Sequence, residues 1–155
     1  MKLGDVLRKE RERKRLTIDD AAFNLGLSAE AYQELEAGTS PIEEWGPRLA
    51  QIAVKLSKPT SRLISETGKS AQAGLVAGQC GNLIGMHREK RQLNREQLAS
   101  LLDWPTELLA SIESGDSPLE TYAPLLLRFA ELIEQPIFNL FNPCGLPFDQ
   151  LTDYP

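Results

Sequence analysis

The segment Leu16-Thr17-Ile18-Asp19-Asp20-Ala21-Ala22-Phe23-Asn24-Leu25-Gly26-Leu27-Ser28 is met again as Leu93-Asn94-Arg95-Glu96-Gln97-Leu98-Ala99-Ser100-Leu101-Leu102-Asp103-Trp104-Pro105. Leucines, alanines and polar residues hold their places in both. Outward from this segment the match runs without a gap over about 62 residues, at an offset of roughly 77 positions. Gly4 answers to Gly81, Arg11 to Arg88, Glu36 to Glu113 and Gly38 to Gly115. Ser40-Pro41 returns as Ser117-Pro118, Pro47 as Pro124, and Pro59 as Pro136. About 17 positions are identical, and many others exchange one apolar residue for another, as Trp45 for Tyr122. The chain is two copies of one small unit. Residues 1–66 form the first, 67–79 a Gly/Ala/Ser-rich linker, 80–142 the second, and 143–155 an irregular tail.

Units of this size sit near the lower limit for independent folding, so packing between the copies is expected to contribute, with each unit keeping a core of its own. The chain has 155 residues, 41% of them apolar. No run is long and apolar enough for a membrane span and the N-terminus is charged, so no membrane partner and a cytoplasmic location are expected. Cys80 and Cys144 lie in no CxxC or His-rich context, which argues against a metal or redox centre. Cys80 aligns with Leu3 and is read as a small buried hydrophobe.

The formal charge of −5 is unevenly spread. Through Ile64 there are about 11 Lys/Arg against about 10 Asp/Glu; from Ser65 onward, about 6 against about 12. The first copy is the better candidate to meet a polyanion.

Apolar spacing and punctuation predict an all-α fold. Helix one runs from near Leu3 to near Arg15. Thr17 with Asp20, and Asn94 with Gln97, have the spacing of caps that satisfy free amides at a helix start. Helix two follows over Ile18–Leu25 and Arg95–Leu102. Gly26 suits the left-handed conformation of a tight turn, and Asp103 takes that place in the second copy. Ser28 caps helix three, Ala29–Ala37. In the second copy Pro105 replaces the serine, and Asp103 is the candidate cap. Pro47 and Pro124 are expected in the first turn of helix four, Pro59 and Pro136 beyond its end, and a short fifth helix near Thr60–Ile64 and Ile137–Phe141.

Two short helices about a turn, with a small residue (Ala22, Ala99) where they cross, form a helix-turn-helix. The pattern Leu16-Thr17…Ala21-Ala22…Leu25-Gly26-Leu27-Ser28…Leu35-Glu36-Ala37-Gly38 resembles the Cro/C1 (XRE-type) repressor family, and Leu93-Asn94…Gln97-Leu98-Ala99…Leu102…Ile112-Glu113-Ser114-Gly115 resembles a second member. The resemblance implies two tandem five-helix lambda-repressor-like domains, each with a third helix that enters the major groove of double-stranded DNA. It also implies structural ion pairs, Arg11 with Glu36 and Arg88 with Glu113.

Carried onto this sequence, the DNA-facing positions are Thr17, Ser28, Ala29, Glu30, Gln33 and Thr39 in the first copy. In the second they are Asn94, Arg95, Thr106, Glu107 and Ser111. Bases are usually read by Arg, Lys, Asn or Gln, and on the third helices only Gln33 qualifies. Arg13, Lys14 and Arg15 are candidates to flank the duplex backbone; a solvated helix end, where cations meet the C-terminal dipole, is the plainer alternative. His87 has no partner pattern and is expected on the surface. Trp45, Trp104 and Tyr122 fall at apolar positions and are expected to pack, and Tyr32 to be half-buried. No nucleophile, base or phosphate loop points to an enzyme, and no cofactor is implied. Two functions remain: a DNA-binding transcriptional regulator, acting as a pseudo-dimer or a homodimer, and a protein-interaction module of antitoxin or antirepressor type with an acidic reading surface.

Overall fold

In the computed structural model, which describes residues 1–70 and 77–145, every regular element is helical. The first half holds α1 (Leu3–Arg13), α2 (Ile18–Leu25), α3 (Ala29–Ala37), α4 (Ile42–Leu56) and a 3-10 turn, Thr60–Leu63. The second holds α5 (Gln79–Lys90), α6 (Arg95–Leu102), α7 (Thr106–Glu113), α8 (Leu119–Leu132) and 3-10 turns at Ile137–Leu140 and Asn142–Cys144. No strand occurs among the described residues. Residues 71–76 of the expected linker and 146–155 of the expected tail lie outside them.

Local chemistry places most boundaries. Thr17 and Asp20 exchange bonds, Oγ1 accepting from Asp20 N and Oδ2 from Thr17 N, both at 3.0 Å. Asn94 and Gln97 do the same at 2.8 Å each way. Ser28 Oγ accepts from Ala31 N at 3.1 Å and opens α3. Gly26 then turns the chain at φ 71°. Asp103 takes the same left-handed shape at φ 60°, closing α6 rather than capping α7, and α7 starts after Pro105 without a side-chain cap.

Three further expectations are corrected. Helix one ends at Arg13, and Arg15 lies outside it at φ 58°, because Leu16 N folds back onto Arg11 O at 3.1 Å. Pro47 and Pro124 lie inside α4 and α8 rather than in their first turns. The preceding Ser-Pro pair already starts each helix. Ser40 Oγ accepts from Ile42 N and Ser117 Oγ from Leu119 N, at 3.2 Å each. The "fifth helices" are single 3-10 turns.

Gly4 and Gly81 are where α1 and α5 cross α3 and α7. A Cβ on Gly4 would stand 2.4 Å from Leu35 O, and one on Gly81 2.1 Å from Ile112 O. Only hydrogen fits between those backbones, which is why the repeat keeps both glycines.

The hydrophobic core does not divide at the linker. One continuous cluster runs from Leu3, Leu7 and Leu49 through Leu56 and Leu63 to Ile84, Leu126, Phe129 and Phe141. The separate cores expected for the two copies are therefore merged, as suits units too small to bury much alone. The joint itself keeps the repeat. α4 packs on α8, α2 on α8 as α6 on α4, the second half's Ile137–Leu140 turn on α1 as the first half's turn on α5, and the two turns on each other. Exchanging the halves returns each of these pairs, as in a two-fold, self-complementary interface, while the packing of α4 on α5 has no equal between α8 and α1.

Candidate nucleic-acid interface

The Arg–Glu pairs brace each bihelical unit from beneath. Arg11 Nε donates to Glu36 Oε2 at 2.6 Å, Nη2 to Oε1 at 3.2 Å, and Nη1 to Leu16 O at 2.9 Å. Arg88 repeats this with Glu113 at 2.8 and 2.9 Å and with Leu93 O at 2.7 Å. Each guanidinium thus ties three segments: its own helix, the turn after it and the end of the third helix. The bidentate carboxylate raises both guanidinium pKa values above the usual arginine range, against the opposing effect of burial. Tyr32, expected half-buried, is fully buried, and burial together with Glu36 pushes its phenol up.

On the outer side the candidate readers have unequal freedom. Glu30, Gln33 and Thr39 are exposed and Ala29 is half-buried. Thr17, Ser28 and Asn94 already use a side-chain oxygen to cap helices. Glu107 is exposed, Thr106 is half-buried, and Ser111 Oγ donates to Leu108 O at 2.8 Å within its own helix. Arg95 leans onto the buried pair, Nε to Glu113 Oε1 at 3.1 Å, while half of its side chain stays exposed.

The basic run at the end of α1 is split by the fold. Arg13 pairs with Glu10 at 2.7 Å, Arg15 is exposed, and Lys14 reaches across the joint to Glu134 of the second half at 3.3 Å. The outer face of α3 instead carries Glu30 and Glu34, both exposed and without an ion pair among the described residues. It is an acidic face with one amide, Gln33.

His87 is not on the surface. It lies 6% exposed where α5 meets the Thr60–Leu63 turn. Burial, then the nearby Lys58, Lys90 and Arg62, hold its pKa below the ordinary imidazole value, and a hydrogen bond with the Arg62 backbone opposes them. Trp45 is buried and Trp104 half-buried, and they flank Arg48, whose guanidinium lies 4.4 Å from one ring centre and 5.9 Å from the other. Cys80 is buried as expected, and burial followed by Glu120 pushes its thiol up.

Reading for motifs missed the cations gathered around His87, because they come from two stretches far apart in the chain. The usable signal was the repeat itself: Lys58 and Arg62 align with Gln135 and Asn139 of the other copy. Among the described residues no cluster of three or more metal-ligating side chains exists, and no helix is long and apolar enough to cross a membrane. Protein-family models, curated proteins and solved structures were each compared with the chain, and none matches it.

Proposed function

We propose that the chain is an XRE-type DNA-binding transcriptional regulator, in which two five-helix lambda-repressor-like units form a covalent pseudo-dimer. The observation that carries this reading is the symmetry of the joint. Its main contacts run through α1, α2, α4, α5, α6, α8 and the 3-10 turns, and leave α3 and α7 outside. Both third helices therefore stay available on a frame with the two-fold relation that paired half-sites demand. The duplicated caps and Arg–Glu braces support the same reading, since they fix each third helix against its partner. Because α3 and α7 differ in sequence, the preferred site is asymmetric.

A second reading rests on the acidic outer face of α3. Glu30 and Glu34 repel phosphate, and a protein-interaction module of antitoxin or antirepressor type would use that face to meet a basic partner.

Titration into fluorescent genomic fragments at several salt concentrations separates the two. A regulator neutralising about six phosphates gives a log–log salt slope near −5. An interaction module gives no binding even at low salt. Reversing the charge of Arg13 and Arg15 weakens binding under the first reading and changes nothing under the second.

A further inference from the structure

The joint has two seams, one at each pair of helix ends, and the repeat makes them equivalent in position but not in charge. In one, the end of α4 and the Thr60–Leu63 turn meet the end of α5, and Arg91 Nε donates to Leu56 O at 2.8 Å. In the other, the end of α8 and the Ile137–Leu140 turn meet the end of α1, where Lys14 pairs with Glu134. At the offset of the repeat, Lys58, Arg62, His87, Lys90 and Arg91 correspond to Gln135, Asn139, Glu10, Arg13 and Lys14.

The second seam is closed on itself. Glu10 neutralises Arg13, Glu134 neutralises Lys14, and Asn139 donates to Gln135. The first seam has no such answer. Lys58, Arg62, Lys90 and Arg91 lie in no ion pair among the described residues, and the adjacent Glu89 is turned to Arg88 at 3.7 Å. His87 is buried beside Lys58, Arg62 and Lys90, with an Nδ1 that has no hydrogen-bond partner.

Helix dipoles explain some of this charge, since α4 and α5 both end there. They do not explain the excess. The other seam joins two helix ends in the same way and is satisfied with a balanced set. Four like charges at one seam, Lys58 half-exposed and the others exposed, repel one another through solvent, and an anion bound among them relieves that repulsion. Guanidinium forks and ammonium groups together suit the oxygens of a phosphate.

We propose that this seam, formed by Lys58, Arg62, His87, Lys90 and Arg91, binds a phosphate-bearing anion. The bound charge favours the protonated ring, whose Nδ1–H donates to a phosphate oxygen while the other ring N–H keeps the Arg62 backbone, and the four cations compensate the remaining charge. The bound group bridges the two halves, so occupancy stiffens the joint on which the third helices are mounted. The site does not depend on whether those helices read DNA, because its ligand is either a free phosphorylated solute or a backbone phosphate.

His87 is the chain's single histidine, so its imidazole NMR signal reports on this seam alone. The full-length protein is titrated with sodium triphosphate, and separately with a short DNA duplex, at constant ionic strength held with chloride. A saturable shift of the His87 signal with triphosphate alone assigns a free solute. A shift with duplex alone assigns the nucleic-acid backbone, and a shift with both assigns a general phosphate site.

The paired change Lys58→Gln/Lys90→Gln is expected to weaken triphosphate binding about tenfold, and Arg13→Gln/Lys14→Gln at the other seam to leave triphosphate binding unchanged. Circular-dichroism melts establish that both variants are folded. No shift with either ligand overturns the proposal, as does equal weakening by the two variants, which would mark the effect as diffuse charge.

Discussion

Glu43 holds Gly4 by its amide. The carboxylate stands in the first turn of α4, yet Oε2 accepts from Gly4 N at 2.7 Å and Oε1 from Leu3 N at 2.9 Å. Lys2 supplies no side-chain cap to α1, so a residue from another helix replaces one. Glu120 does the same for Gly81 N at 2.8 Å and Cys80 N at 3.3 Å. Glu43→Ala leaves two amides at the positive end of a helix without their acceptor. A loss of about 1–2 kcal/mol is expected, read from the urea midpoint. An unchanged midpoint would mean that water serves those amides equally well.

The amides held by Glu43 and Glu120 include those of the glycines at the helix crossings. Gly4→Ala puts a methyl carbon 2.4 Å from a backbone oxygen, and Gly81→Ala puts one 2.1 Å from another. Backbone cannot swing aside as a side chain can, so each substitution forces α1 or α5 away from its partner helix. Each is expected to cost about 1–3 kcal/mol, with Gly81→Ala the worse of the two. Equal midpoints for wild type and variants would show that the helices separate at little cost.

The Arg88–Glu113 pair gives a larger effect. Both side chains are less than a tenth exposed. Glu113→Ala strands the Arg88 guanidinium, while Arg95 can return to solvent. About 3 kcal/mol of destabilisation is expected by urea titration, with little recovered by Glu113→Gln, which restores shape without charge. A loss below about 0.5 kcal/mol would place this pair with ordinary surface ion pairs.

How far residues can be read without coordinates depends on the range of the interaction. Thr17, Asp20, Asn94 and Gln97 act within one helical turn, and their spacing alone located the starts of α2 and α6. The Arg–Glu pairs were legible through resemblance and repetition. Pro47 and Pro124 misled because proline can mark a helix start, whereas Ser40-Pro41 and Ser117-Pro118 had already provided one. His87 was misplaced, and the pairing of Lys14 went unforeseen, for a different reason. Their surroundings are set by the other half of the chain, through Glu134 in one case and Arg62 and Lys58 in the other. Neighbours in sequence carry no information about such a joint.

A continuous core also makes a claim about cooperativity. Both tryptophans of the chain flank Arg48, which lies on α4 against a residue of the second half, so their fluorescence reports on the joint. Circular dichroism reports on helices everywhere. The two signals are expected to change together in urea, as one two-state transition. Fluorescence changing at clearly lower urea would show that the halves part before they unfold.

His87 adds a pH dependence of definite sign. Its neutral form is the one that fits among Lys58, Arg62 and Lys90, so its folded pKa lies below the unfolded value near 6.5. The unfolded chain then binds the proton first. The stabilisation is complete above pH 6.5, is lost as pH falls from there towards the folded value, and does not fall further below it. Carboxylates confuse the picture only at lower pH, where they begin to protonate at about 4–5. Melting temperature is therefore expected to fall between about pH 7 and 5.5 in the wild type. The fall should be smaller in His87→Gln, which keeps a polar group but cannot charge. Parallel curves for the two proteins would remove His87 as the cause.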